Sequence, residues 1–488
     1  MIELKKNEAK LKRAVELARK HKIIIPTFKQ LKNPKLIPTK IKEKLKHIGL
    51  EDINHYNLFR ITWKNDPVPN GGLFGNVNLM EVPTELTGVE ARIIALLGKW
   101  FPTGSHKVGA TFGCLVPRLV TGQFDPTQQK AVWPSTGNYC RGGAYVAALL
   151  GCDSIAVLPE EMSKERFEWL SSVAGEVIKT PGGESNVKEI FDKCWDLRQE
   201  RKDVMVFNQF DEFGNYLWHY AITGEAALEV LRKAMSKKER FAGFIASSGS
   251  AGTISGCGDF LKETFPESKI AAAEALQCPT LLLNGFGGHR IEGIGDKHVP
   301  WIHNVRNTDM VIAVDDNDCL NLIRLCNEPS GKSFLKKQGL SESTINSLHL
   351  MGVSSAANLL AAIKFSKYFE LTSKDLILTV FTDSMDLYKS RLKELRAQYG
   401  KYSELDALKD YNRSLLALNI NHMQELNYYD RKRIHNLKYF TWIEQQGRDV
   451  DELNAQWYDY PDYWNNIQLK QNYIDNLIDQ FNTKASFL

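Results

Sequence analysis

Lys107 stands in the stretch FPTGSHKVGA, just behind a Gly-Ser turn and at the head of a helix-like run. A lysine there is either one more solvated cation, the common fate of this side chain, or an amine held inward to attack a carbonyl carbon. Two other stretches carry groups that suit the second use. SSGSAGTISG (247–256) places small and hydroxylated residues between an apolar run and a helical one. Backbone N–H groups converge on an anion in such a loop, helped by the helix N-terminus; a tight turn packed on a sheet has similar composition. WPSTGNYCRGG (133–143) sets Ser135, Thr136, Gly137 and Asn138 at another helix start. These residues can cap that helix or grip a carboxylate. Neither stretch has the G-x-x-x-x-G-K-[ST] of a nucleotide P-loop or the dinucleotide fingerprint.

The elements that must place these groups alternate through the middle of the chain. AVWP, SIAVLP, EVIKT, GFIASS, KIAAAEAL and LILTVFTDS read as strands, with amphipathic runs such as KERFEWLSSVAG and CGDFLKETF between them. That order predicts an α/β fold with mostly parallel sheets covered by helices. Ligands then sit beyond the carboxyl ends of the strands. Lys107 precedes Ser135 by 28 residues, one strand–helix step, so both reach the same sheet edge. The expected division is a basic N-terminal extension (1–95), a two-lobed body (96–392, smaller lobe about 110–225) and a C-terminal extension (393–488), both extensions mainly helical. The tail is rich in aromatics, and WYDYPDYW is expected to pack against the body or a second subunit.

Composition narrows the function classes. The 488 residues are 43% apolar and 25% charged, the balance of a globular protein. No apolar run is long enough to span a bilayer, and the N-terminus reads as lacking a secretory signal. The eight cysteines (114, 140, 152, 194, 257, 278, 319, 326) form no C-x-x-C pair, so no metal site or disulfide frame is expected, and reduced thiols point to the cytoplasm. Residues 1–48 hold fifteen Lys/Arg against four Glu, which leaves the rest of the chain at −7 from a net +4. With few aromatics and no nucleic-acid motif, this arm reads as a solvated face packed on an acidic body, not as a nucleic-acid or membrane ligand.

An amine, an anion cradle and a carboxylate grip at one edge suit pyridoxal 5'-phosphate (PLP), whose aldehyde, phosphate and ring nitrogen each need a partner. The body resembles the fold-type II PLP enzymes of the cysteine synthase and cystathionine β-synthase family. The resemblance rests on GSHK, STGN, MSKERFEWLSSVAGEVI, NQFDEFGNYLWHYAITGEA, GSAGT, IEGIG, GVSSAA and FTDSMDLY, occurring in that order. Gly-Ser-His-Lys itself is more similar to the tryptophan synthase β chain, and Ala251 stands where the phosphate loop usually has glycine.

The resemblance implies roles residue by residue. Lys107 would form the internal aldimine and later move the Cα proton. Gly249, Ser250, Ala251, Gly252 and Thr253 would hold the phosphate, Asn138 the ring 3′-oxygen, and Ser354, in preference to Ser355, the pyridine nitrogen. Ser135, Thr136, Gly137 and Gln209 would hold the substrate carboxylate. The implied activity is that of a PLP-dependent lyase or transferase: β-replacement or β-elimination on a serine- or cysteine-type amino acid through an aminoacrylate, with a thiol or sulfide as second substrate. The alternatives are an ammonia-lyase or threonine-synthase-like activity on the same fold, and a non-catalytic regulatory subunit. A homodimer or higher homo-oligomer is expected.

Overall fold

Unbroken apolar runs become the buried strands, and longer-period runs become the helices that cover them. The computed structural model describes residues 2–67, 72–135, 137–183 and 186–486. Among these, the strands are β1 (Leu79–Val82), β2 (Arg92–Leu97), β3 (Lys130–Pro134), β4 (Ser154–Pro159), β5 (Glu176–Thr180), β6 (Val204–Val206), β7 (Arg240–Ser247), β8 (Lys269–Ala275), β9 (Met310–Val314), β10 (Asp375–Phe381) and β11 (Met423–Glu425). They make two sheets. The smaller runs β5-β4-β3-β6 and is parallel throughout. The larger runs β1-β2-β10-β7-β8-β9-β11 and is parallel except at its edges, where β1 and β11 are antiparallel. This is the expected two-lobed α/β arrangement.

Position in the sheet explains each strand's composition. All seven residues of β10 (DLILTVF) are buried, because β2 and β7 flank it and helix Val353–Tyr368 covers it. Edge strand β1 instead alternates exposed and buried residues, so only one face meets the core.

The boundaries expected at 95 and 392 do not coincide with edges of the large sheet. β1 and the first residues of β2 come from before 96, and β11 comes from the tail. A three-residue edge strand such as MQE carries no pattern of its own; pairing with β9 creates it.

The two extensions meet. Helix Glu8–His21 packs on helix Lys470–Ala485, and both lie against helix Lys107–Val120. Asp475 accepts the N–H of Phe28 at 2.6 Å. Asn482 pairs both ways with the backbone of Ile25, at 3.0 and 2.8 Å. The aromatic turn of the tail packs on the body: Trp464 lies 5.3 Å from Tyr216 and 5.8 Å from Phe213, between ring centroids. Arg448 adds an ion pair to Asp211 at 2.7 Å. The tail therefore braces helix Phe213–Trp218, whose Asn215 donates to Ser250 Oγ in the loop after β7.

Candidate active site

Helix Lys107–Val120 begins at the lysine itself. It lies close against helix Phe213–Trp218 because Gly113 carries no side chain; a Cβ there would sit 2.3 Å from the carbonyl oxygen of Gly214. Lys107 is half-buried, and its Nζ donates to Ser250 Oγ at 3.3 Å. Ser250 Oγ also accepts from Asn215 Nδ2 at 3.0 Å. Asn215 in turn donates to the carbonyl of Gln209 at 3.0 Å, so one amide links the lysine's partner to the Asn-Gln-Phe segment.

The loop that carries Ser250 joins β7 to helix Gly252–Thr264. Ala251 adopts φ 61, ψ 4, a left-handed conformation that costs a non-glycine residue about 1–2 kcal/mol. Among the described residues, no group accepts from the N–H of Gly249, Ser250, Ala251, Gly252 or Thr253. Five such donors at the head of a thirteen-residue helix form an anion cradle.

Across the cavity, Asn138 opens helix Asn138–Leu149, and its Nδ2 donates to Asp383 Oδ2 at 2.6 Å. Tyr388 donates its hydroxyl to the same oxygen at 2.7 Å. Burial pushes the Asp383 carboxyl up, against the pull of Tyr388, Arg166 and Asn138. Asn138 Oδ1 is buried with no partner among the described residues, and the second Nδ2 proton is uncommitted. A polar ligand atom is what such a group lacks. Ser354 Oγ pairs with Thr382 Oγ1 at 2.6 Å and lines the cavity, whereas Ser355 is turned to the carbonyl of Asp383.

Ser135 and Gln209 are buried and line the same cavity. Ser135 Oγ accepts the N–H of Gly137 at 3.1 Å. Gly137 has φ 154, and a Cβ there would fall 2.6 Å from the guanidinium carbon of Arg166. Arg166 is itself fully buried, held by Glu292 at 2.5 Å and by the Tyr388 hydroxyl at 2.9 Å. Thr136 lies outside the described residues. Lys107, Ser135, Asn138, Gln209, Gly249, Ser250 and Ser354 thus share one cavity, and Ala251, Gly252 and Thr253 line its continuation along the cradle.

Residues 75–335 match the family described as pyridoxal-phosphate dependent enzyme. The chain belongs to that family. Cysteine synthase B of Campylobacter jejuni is 32% identical over 289 residues, which are 59% of this chain and 87% of that protein. An O-acetylserine dependent cystathionine β-synthase of Helicobacter pylori is 25% identical with a TM-score of 0.53, over 64% of this chain and 94% of that one. A hydrogen sulfide-producing enzyme of Fusobacterium nucleatum, solved with an α-aminoacrylate intermediate, is 25% identical with a TM-score of 0.54, over 69% and 90% of the two chains. The residues of this pyridoxal-phosphate dependent enzyme fit the cofactor. Lys107 offers an amine, the cradle five N–H donors without partners, Asn138 an amide with spare capacity, and Ser354 an uncharged hydroxyl.

Several residues of this family member's site had no assigned role in the sequence reading: Asp383, Tyr388, Arg166, Glu292, Asn215 and His106. Each lies inside a stretch that carried the family resemblance, yet nothing local marks which of its polar residues turns inward.

Proposed function

We propose that this enzyme carries out β-replacement on a serine- or cysteine-type L-amino acid, in the manner of a cysteine synthase, with β-elimination as its partial reaction. The observation that carries this reading is the cavity lined by Lys107, Ser135, Asn138 and Gln209 and continued along the N–H cradle, with a hydroxyl and no carboxylate at Ser354. The relatives named as cysteine synthases support it.

When bound, PLP supplies an electron-accepting ring that stabilises negative charge at an amino acid's Cα. The chain does the rest. Lys107 would hold the cofactor's aldehyde end and would serve as the base that takes the proton from the substrate's Cα. The N–H groups of 249–253 would hold the phosphate. Ser354 carries no charge that would force a proton onto the ring nitrogen, which moderates the electron sink and favours loss of a β-substituent over transamination. Ser135, Gly137 and Gln209 receive the substrate carboxylate. Tyr139, Val187, Phe210 and Ile294 complete the wall and keep water from the Cα and Cβ atoms.

The test is product analysis of purified, PLP-loaded protein with L-serine, O-acetyl-L-serine or L-cysteine, with and without sulfide or a thiol. Formation of a sulfur amino acid, with pyruvate appearing when the nucleophile is omitted, is expected. Turnover confined to L-threonine or diaminopropionate would move the assignment to an ammonia-lyase or threonine-synthase-like activity. We further propose that the protein is cytoplasmic and a homodimer or higher homo-oligomer. Eight buried free thiols support a reducing compartment, and light scattering of the eluting protein tests the dimer.

A further inference from the structure

His219 has no part in the chemistry above, yet it is fully buried and packed edge-on against His106, with ring centroids 5.2 Å apart. Its two nitrogens meet two threonine hydroxyls: Nδ1 lies 2.9 Å from Thr223 Oγ1, and Nε2 3.3 Å from Thr253 Oγ1. Thr253 is the last residue of the cradle. Its Oγ1 also lies 3.2 Å from His106 Nε2, and His106 Nδ1 lies 3.2 Å from the carbonyl oxygen of Thr382. At the other end, Trp63 Nε1 donates to Thr223 Oγ1 at 3.0 Å. These groups form one unbroken chain from the N-terminal extension, past the cradle, to the residue after β10.

The ends fix its direction. An indole only donates and a carbonyl only accepts, so the proton of His106 is on Nδ1. Burial holds both rings neutral, far below the ordinary histidine range. His106 Nε2 must then accept from the Thr253 hydroxyl. Having given up its one proton, Thr253 Oγ1 accepts from His219 Nε2–H. His219 Nδ1 accepts from Thr223, whose oxygen accepts from Trp63. Every donor and acceptor is used once. Thr253 therefore has a fixed donor in His219, while two acceptors can compete for its own proton: His106 Nε2 and an anion in the cradle.

We propose that His219 is a positioning residue for the cofactor phosphate, clamping the Thr253 oxygen so that the Thr253 hydroxyl delivers its proton to a phosphate oxygen. This rests on the PLP reading given above. The role is specific to the phosphate, because the chain reaches the ligand only through Thr253.

Equilibrium binding of PLP and of pyridoxal, which lacks the phosphate, to the purified apo-protein tests it. His219→Phe keeps the ring and removes both nitrogens. It is expected to weaken PLP roughly three- to tenfold, the worth of one hydrogen bond, and to leave pyridoxal binding unchanged. His219→Gln, whose amide accepts at one atom and donates at another, is expected to restore most of the loss. In a Thr253→Val background, His219→Phe should have no further effect on the ratio of the two affinities. An unchanged ratio in His219→Phe, or an effect that persists in Thr253→Val, overturns the proposal. Should His219→Phe not fold, Trp63→Phe at the far end of the chain is the substitute. A smaller loss confined to PLP supports the proposal; equal loss of both ligands, or none, overturns it. Wild-type protein that binds neither ligand overturns the PLP reading and this proposal with it. Wild-type protein that binds both, with the ratio unchanged in His219→Phe, overturns this proposal alone.

Discussion

Asn138 Nδ2 lies 2.6 Å from Asp383 Oδ2, a contact between the first turn of a small-lobe helix and the segment that follows β10 of the large sheet. It is a hydrogen bond that ties the two lobes beside the cavity lined by Lys107 and Asn138. Asp383 is in turn held by Tyr388, and Tyr388 by Arg166. Asp383→Ala is expected to release the amide and to weaken PLP binding by about 1.5–3 kcal/mol, the worth of a hydrogen bond to a charged group. An absorbance titration with PLP reads this directly. A wild-type titration curve would show that Asn138 is held by something else.

Lys107 is expected to be the one lysine joined to the cofactor by borohydride reduction. Peptide mapping that places the adduct elsewhere removes Lys107 from its role. Lys107→Ala should still hold PLP without a covalent link, because the cradle, Asn138 and Ser354 remain. Exchange of the substrate's Cα proton for deuterium, followed by NMR, should fall to background in that variant. A solvated surface lysine would behave otherwise: its loss would change stability by no more than about 0.5 kcal/mol and leave exchange alone.

Gly137→Ala is expected to damage substrate binding more than cofactor binding. The new methyl group has no room beside the buried Arg166 guanidinium, and φ 154 is strained for any residue with a Cβ. Strain of this kind costs about 1–3 kcal/mol, and it falls on the turn proposed to meet the amino acid's carboxylate. Steady-state kinetics should show a raised KM at near-normal PLP occupancy. Unchanged KM would mean that the turn does not meet substrate.

Acid should destabilise the fold in the range where unfolded histidine titrates. Burial holds His106 and His303 down to about 3 and His289 to about 4, against 6.5 for an exposed ring. Between these values the unfolded chain binds more protons than the folded one. The stabilisation is complete above about pH 6.5 and is lost as the pH falls toward 4. Each such ring contributes a slope of about 1.4 kcal/mol per pH unit. Urea midpoints at about pH 7.5, 6 and 5 should therefore fall in that order, and His303→Asn should flatten the slope by one proton. A slope that is the same in His303→Asn and in the unsubstituted protein would contradict neutral burial of that ring.

The fold was legible where information is local. β7, β8 and β10 are mainly apolar runs, and the loop after β7 announces itself by five consecutive small or hydroxylated residues. Lys107 was legible because a turn, a lysine and a helical run follow one another directly. What stayed hidden depends on partners far along the chain. Asp383 meets Asn138 across 245 residues, and Arg166 meets Glu292 across 126. His219 and Asn215 are single polar residues on buried helical turns, where composition does not separate a structural amide or ring from a functional one. The sequence sets both extensions against the body but not against each other, because an amphipathic helix shows that it has an apolar face, not what covers that face.

The meeting of helices Glu8–His21 and Lys470–Ala485 over helix Lys107–Val120 sets an order of events during synthesis. Synthesis delivers Glu8–His21 first of the three and Lys470–Ala485 about 450 residues later. At about 5–20 residues per second, the apolar face of Glu8–His21 waits on the order of half a minute for its cover. Helix Lys107–Val120 is thus closed over only once Lys470–Ala485 has emerged. Premature termination before residue 470 would release a chain with that face bare, a substrate for chaperones and proteases instead of an enzyme.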